Sequence, residues 1–242
     1  MRPSMVRRTD PRSARDSLAR IPLFAALSPD QIAALDAACS WRRVDAGAAI
    51  IDHQDDGTDV FFVVHGHVRV MIRQPGGQSV ILRDIGDGEF FGELAAIDGQ
   101  PRSAGIQAVT AATVARMPAA IFRRAIHDHP PVADQVLGLL AGQVRMLATR
   151  VTEFSTLNVR HRLYAELLRL SRPDPREPAH AIISPPPIQA DLAARISSHR
   201  EAVSRELAAL TRAGLLDRRR GALVLLDPAR LRQLVEEAYA GG

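Results

Sequence analysis

Residues Phe91 to Ala108 read FGELAAIDGQPRSAGIQA, a segment set between runs that otherwise look like plain strand. Gly92 lacks a Cβ and lets a ligand approach the backbone closely. Glu93 follows it and can accept hydrogen bonds from a sugar hydroxyl. The turn Asp98-Gly99-Gln100-Pro101 sends the chain back, so Arg102 and Ser103 face Gly92 and Glu93 across a small concavity. A guanidinium fork, a hydroxyl and exposed backbone N–H groups suit a phosphate carrying one negative charge. Taken alone, a Glu and an Arg nine residues apart are more often a surface ion pair, so the chain on either side has to decide.

On both sides the period is that of strands. From about Trp41 to Met117 the runs VFFVVHGHVRVMI, QSVILRDIG and AGIQAVTAATVARM are short and rich in β-branched residues, with Gly-containing turns between them. That pattern predicts an antiparallel sandwich or roll. Before it, LSPDQIAALDAACS supplies a Ser28 N-cap and Pro29 at the first helical position, which predicts a short helix. Residues 1 to about 20 read as a flexible, charged lead.

After HDHPP the apolar residues Val136, Leu139, Leu140, Val144, Leu147, Val151, Phe154 and Leu157 recur every three or four positions, predicting a helix from about Val132 to Asn158. At 1.5 Å per residue it would be roughly 40 Å long, more than a domain of this size needs for itself. Its apolar stripe calls for a partner helix. LNVRHRLYAELLRLS is a further amphipathic helix, and the Pro-rich RPDPREPAHAIISPPP a loop with a short extended piece. Then follow IQADLAARI, SHREAVSRELAALTRAGL and LDRRRGALVLLD: a helix, a tight turn, a longer helix and two strands joined at Arg220-Gly221. This is the order of a winged helix-turn-helix. A last helix from about Pro228 to Tyr239 closes the sequence.

Composition sets bounds on the function. The 242 residues are 46% apolar and 24% charged, ordinary for a globular protein. No apolar run reaches the roughly 18 residues needed to span a bilayer, and the Arg-studded start lacks the apolar region of a secretory signal. The expectation is a cytoplasmic protein with no membrane partner. Cys39 is the only cysteine, which excludes an internal disulfide and a cysteine-based metal site. All 31 basic residues are arginine and the net charge is only +4, so the position of the positive charge matters more than its total. His127 and His129 have a spacing that suits a metal but lack a third ligand, and no cluster of His and Glu on facing strands supports a cupin-like enzyme. Neither a metal nor catalysis is expected.

In SSHREAVSREL, Arg200, Glu201, Ser204 and Arg205 fall on the first turns of the second helix of the helix-turn-helix. Such a helix end reaches base edges when it enters the major groove of double-stranded DNA. Arginine pairs with guanine O6 and N7, and glutamate accepts from cytosine N4, so a G/C-containing half-site is expected. Ser198 and His199 adjoin the turn, and Arg219, within the basic run Arg218 to Arg220, is a candidate wing contact to the backbone.

The segment Phe91–Ala108 closely resembles the phosphate-binding cassette of cyclic-nucleotide-binding domains, in which Gly-Glu-Leu leads through a short helix and turn to Arg, then Ser, Thr or Ala, then Ala. With IPLFAALSPDQIAAL, the glycine-punctuated strands, the long helix, LNVRHRL and the helix-turn-helix, the chain resembles the CRP/FNR family of bacterial transcription regulators. The resemblance implies an α+β fold: an antiparallel, jelly-roll-like β-roll, a long dimerisation helix and a C-terminal winged helix-turn-helix. It divides the chain into a lead (1–20), a cyclic-nucleotide-binding β-roll (21–130), a dimerisation helix (131–157) and a DNA-binding domain (158–242).

By the same resemblance, Gly92, Glu93, Leu94, Arg102, Ser103 and Ala104 would hold the ribose and cyclic phosphate. The Thr-Ser pair that meets the purine in cAMP-responsive members falls on Leu147 and Ala148, with Thr149 and Thr152 nearby. This departure leaves open whether cAMP or cGMP is the ligand, since Ser103 suits the amino group of a syn guanine. Arg200, Glu201 and Arg205 match the family's base readers and imply a TGTGA-like palindrome; Ser197 replaces the usual turn glycine, and His199 a serine that often touches phosphate. The implied protein is a homodimer with a two-state hinge near Phe154 to Val159 and RNA polymerase as a further partner. The alternative is a DNA-binding regulator of the same type whose β-roll senses another effector or none.

Overall fold

The computed structural model describes residues 16–73 and 79–241. The chain divides into two compact units, one up to Gly142 and the other from Gln143 onward.

The first unit opens with helix α1 (Pro29–Ala38), whose Ser28 and Gln31 form a reciprocal capping box. Strands β1 (Ser40–Val44), β2 (Ala49–Ile51), β3 (Val60–His65), β4 (Val68–Arg73), β5 (Ser79–Ile85) and β6 (Phe90–Phe91) follow. Helix α2 (Glu93–Asp98), strands β7 (Gly105–Ala108) and β8 (Ala112–Met117) and helix α3 (Ala119–Asp128) come next, and α4 runs from Pro130 to Thr156. The strands make two antiparallel sheets, in the orders β1-β8-β3-β6 and β2-β7-β4-β5.

Strand β3 shows why the run VFFVV is apolar without a break. Phe61 and Val63 join Val68, Ile85 and Ile106 in the core shared by the two sheets. Val60, Phe62 and Val64 face the other way, into a core with Leu18, Phe24, Phe122, Val132 and Val136. A strand covered on both faces needs no polar alternation.

In the second unit α5 (Val159–Leu170), β9 (Arg172–Pro173), β10 (Ala181–Ile183), α6 (Gln189–Arg195), α7 (Arg200–Arg212), β11 (Leu216–Arg219), β12 (Ala222–Leu225) and α8 (Pro228–Ala240) follow in order. The strands form an antiparallel sheet β11-β12-β10-β9, so the extended piece after Arg172 extends the two-stranded wing. Leu163, Leu167, Leu192, Ile196, Val203, Leu207, Leu223 and Leu231 build its core. The architecture is α+β: a β-roll, a long helix and a C-terminal winged helix-turn-helix.

Three details differ from the sequence expectation. Helix α4 begins at Pro130 and ends at Thr156, against an expected 132–158. Prolines fit the first turn of a helix, where no N–H partner is lost, and Asn158 turns from α4 to cap the N–H of His161 at the start of α5. Helix α3 was not separately anticipated; Pro118 ends the strand pattern and supplies its N-cap. Of the expected flexible lead, residues 1–15 lie outside the described residues. Leu18 is fully buried, and its N–H and the Ser17 hydroxyl each donate to the Asp36 carboxylate at 2.8 Å.

Candidate functional site

Strand β6 delivers the chain to Gly92, which has φ +87° and caps the start of α2. L side chains rarely adopt this left-handed conformation. The last turn of α2 is held by α3, where Arg123 donates to the carbonyl of Ala96 at 2.8 Å. The chain then returns through Gly99, also left-handed at φ +70°, to Arg102. Arg102 pairs through its backbone with the β2–β3 loop: its N–H donates to Asp55 and its carbonyl accepts from Gln54, both at 3.0 Å.

Arg102 is only 5% exposed. Nη1 donates to the carbonyl of Gly92 at 2.9 Å and Nη2 to the carbonyl of Asp59 at 2.6 Å. The guanidinium carbon lies 5.9 Å from the centroid of the Phe61 ring, which stacks on Phe91 at 5.2 Å. Nε is buried, with no hydrogen-bond partner among the described residues. Burial pushes the guanidinium below the ordinary arginine value, against the opposing pull of Asp59, Asp55 and Glu93. Asp59 is itself paired with Arg116. The result is a buried cation, oriented by two backbone carbonyls, with one donor left unsatisfied among the described residues.

Glu93, the first residue of α2, is buried, as are Ala95, Ala96 and Ala104; Leu94 and Ser103 are exposed. The fold therefore brings together Gly92, Glu93 and Arg102, with Ser103 and Ala104 directly following. Leu147, Ala148, Thr149 and Thr152 belong to the other compact unit, where all four are exposed on α4. The hydroxyls of Thr149 and Thr152 donate back to the carbonyls of Arg145 and Ala148, each at 3.1 Å.

In the second unit, α7 buries Val203, Leu207 and Leu210. Arg200, Glu201, Ser204 and Arg205 lie on its exposed face, with His199 at the N-cap position, where its side chain makes no capping bond. The amide of Ser198 bonds back to Ala193 at 3.0 Å, and Ser197 has φ +48°, the conformation a glycine adopts more readily. Arg219 is held by two carboxylates, Asp217 and Glu177, both at 3.1 Å, whereas Arg218 and Arg220 are simply exposed.

Sequence reasoning did not anticipate the Asp59 carbonyl or the Phe61 ring around Arg102, because both come from a part of the chain far earlier in sequence. It also missed a cluster in which Arg150, Glu153, Glu166 and Arg195 are buried and the more exposed Arg169 pairs with the two glutamates. Arg150 and Glu153 are neighbours on a helix, but nothing local links them to Glu166 or Arg195. His127 lies in the last turn of α3 and His129 just beyond it. No group of three or more His, Cys, Asp or Glu able to hold a metal occurs among the described residues. Among the same residues no helix is long and apolar enough to cross a membrane.

Residues 41–129 match the family model of the cyclic nucleotide-binding domain, and residues 161–234 that of the Crp-like helix-turn-helix domain. The chain belongs to the CRP/FNR family of transcription regulators. As a CRP/FNR-type protein it pairs a cyclic-nucleotide-binding domain with a DNA-binding domain. A CRP-like cAMP-activated global transcriptional regulator of Mycobacterium tuberculosis is 25% identical over 215 residues, 88% of this chain and 96% of that one. A CRP-family transcriptional regulator from Thermus thermophilus superposes with a TM-score of 0.64 at 27% identity, covering 81% of this chain and 96% of the other. A mutant of CooA from Carboxydothermus hydrogenoformans shares the fold, with a TM-score of 0.76 at 18% identity over 91% and 98% of the two chains. A fungal lysophospholipase from Neosartorya fischeri is 29% identical over 131 residues, but the match spans only 9% of that enzyme and 54% of this chain.

Proposed function

We propose that this CRP/FNR-type regulator is a homodimer that binds cAMP or cGMP in its β-roll and, in response, recognises a TGTGA-like palindrome in double-stranded DNA. The observation that carries the ligand reading is Arg102: a buried guanidinium, aimed by two backbone carbonyls, whose Nε has no acceptor among the described residues. A cyclic phosphate would supply that acceptor, Glu93 would take the ribose hydroxyl, and the Ser103 hydroxyl and nearby amides would complete the anion's shell. Gly92, Leu94 and Ala104 shape the wall of the site, and Leu147, Ala148, Thr149 and Thr152 would meet the base.

Dimerisation is supported by Leu137, Val144, Leu147, Val151 and Phe154, which stand exposed on α4 at spacings of seven, three, four and three residues. That is an a/d seam awaiting a second copy of the helix. The division proposed for the chain is a β-roll over 21–130, a dimerisation helix over 131–157 and a DNA-binding domain over 158–242. On DNA, Arg200, Glu201 and Arg205 would read bases, while Ser198, His199, Ser204 and Arg219 would lie near phosphates. A regulator placed on DNA in this way would have RNA polymerase as its further partner, and its site of action would be the cytoplasm.

A second reading keeps the DNA-binding regulator and gives the β-roll another effector or none. It is favoured by Leu147 and Ala148, which offer no side-chain hydrogen bond to a purine. Calorimetric titration of the purified protein with cAMP and with cGMP decides between the two. Heat with either supports the first reading; silence with both leaves the second.

A further inference from the structure

The buried charges on α4, α5 and α6 are not used by either proposed binding site. Arg150, Glu153, Glu166 and Arg195 are 9%, 4%, 1% and 5% exposed. Arg150 Nη1 donates to the Glu166 carboxylate at 2.8 Å and lies 3.5 Å from Glu153. Arg169 pairs with both Glu153 and Glu166, and the Arg195 guanidinium lies 3.6 Å from Glu166. Three cations thus surround two carboxylates, and all but Arg169 are almost out of water. Removing one member of such a group leaves an uncompensated buried charge.

The second arm of Arg150 has a different target. Nη2 donates to the backbone carbonyl of Arg195 at 2.8 Å. Arg195 is the last residue of α6, so this carbonyl is one of those a helix leaves without an internal partner. Ile196, the left-handed Ser197, Ser198 and His199 follow it, and α7 begins at Arg200. A single guanidinium therefore ties the long helix both to α5 and to the turn that aims the base-reading helix. The planar fork aims separate donors at the two targets, a fixed geometry that the single-point ammonium of a lysine does not reproduce.

We propose that Arg150 is a positioning residue for DNA recognition, fixing the turn before α7 to the C-terminal turns of α4 so that these move as one body. Arg150 and Glu153 lie before the segment Phe154–Val159, and Glu166, Arg169 and Arg195 lie after it. The cluster bridges that segment, where the family resemblance implies a hinge, and would restrain bending there. Thr149 and Thr152 flank Arg150 on the same helix. The link from ligand to DNA therefore rests on the proposed nucleotide function, whereas the link from Arg150 to DNA affinity does not.

The test uses the full chain, with Arg150→Lys and Arg150→Met compared with wild type. The DNA probe is a duplex that the wild-type chain itself selects from a random pool, with a scrambled duplex as control. Arg150→Lys keeps a charge opposite Glu166 and gives up the bond to Arg195. Its affinity for the selected duplex should fall roughly tenfold or more, with scrambled-duplex affinity unchanged. The thermal midpoint should stay near that of wild type, and any nucleotide affinity measured by calorimetry within about twofold. Wild-type affinity for the selected duplex in Arg150→Lys overturns the proposal, as does an equal loss on both duplexes. Arg150→Met should show at least the same loss on the selected duplex; if it fails to fold, the lysine variant decides alone. If the wild type binds neither nucleotide, the nucleotide reading fails while the comparison on DNA still stands.

Discussion

A Cβ placed on Gly92 would stand 2.6 Å from Nη1 of Arg102 and 2.9 Å from the carbonyl of Asp59. The glycine is thus required twice, by its φ of +87° and by the guanidinium packed against it. Gly92→Ala is expected to destabilise the first unit by about 1–3 kcal/mol through backbone strain. It should also displace Arg102 and weaken nucleotide binding. Arg102→Leu keeps Gly92 and its left-handed backbone but removes the cation, together with its bonds to the Gly92 and Asp59 carbonyls. A hydrogen bond to a charged group contributes about 1.5–3 kcal/mol, so its loss should weaken nucleotide binding by about 10–150-fold. Calorimetry reads the affinity and thermal unfolding the fold; unchanged nucleotide affinity in Arg102→Leu would remove the phosphate role.

Val144 and Val151 are 66% and 65% exposed in the single chain, two turns apart on the apolar stripe of α4. A carboxylate at either position costs little in a lone helix facing water and a great deal in a desolvated seam. Val144→Asp is therefore expected to leave the chain folded and monomeric, while wild type runs as a dimer. Light scattering after size-exclusion chromatography measures the mass directly. A dimeric Val144→Asp would show that the copies associate through another surface.

Much of this site was legible because its determinants are local. The turn glycine, the acidic helix start and the Asp98-Gly99 reversal stand within a dozen residues of Arg102 in sequence, and each has a fixed backbone consequence. The stripe on α4 was legible for a related reason, since a helix repeats its face every three to four residues. What could not be read depends on tertiary approach. Asp59 meets Arg102 only because β3 pairs with β6, at Phe61–Phe91 and Phe62–Phe90. Arg150 meets Arg195 across 45 positions of chain. Arg219 meets Glu177 only because β9, β10 and β12 share a sheet, a pairing that local sequence does not show.

Arg205 lies on the exposed face of α7, and no carboxylate among the described residues is within ion-pair distance of it. Its neighbour Glu206 is paired instead with Arg160 at 3.0 Å. Arg205→Ala should cost about 1–3 kcal/mol on the preferred duplex and relax the choice at one base pair. Binding to a panel of single-base variants of that duplex checks both parts. A uniform loss across the panel would assign Arg205 to a phosphate instead.

His161, in the first turn of α5, packs edge-on against the Tyr164 ring, with centroids 5.7 Å apart and planes at 90°. Burial, reinforced by the Arg160 charge, holds its imidazole below the ordinary histidine value, with Glu206 opposing. A lowered value in the folded state means that the unfolded chain takes up the proton first as pH falls. The stability that neutral His161 contributes is therefore complete above the ordinary imidazole value of about 6.5 and is lost as pH drops through the lower folded value. Thermal midpoints measured from about pH 8 down to about pH 5 should fall in wild type. They should fall less in His161→Phe, which keeps a ring against Tyr164 and has nothing to protonate. Equal pH profiles for the two chains would place the acid sensitivity of the second unit elsewhere.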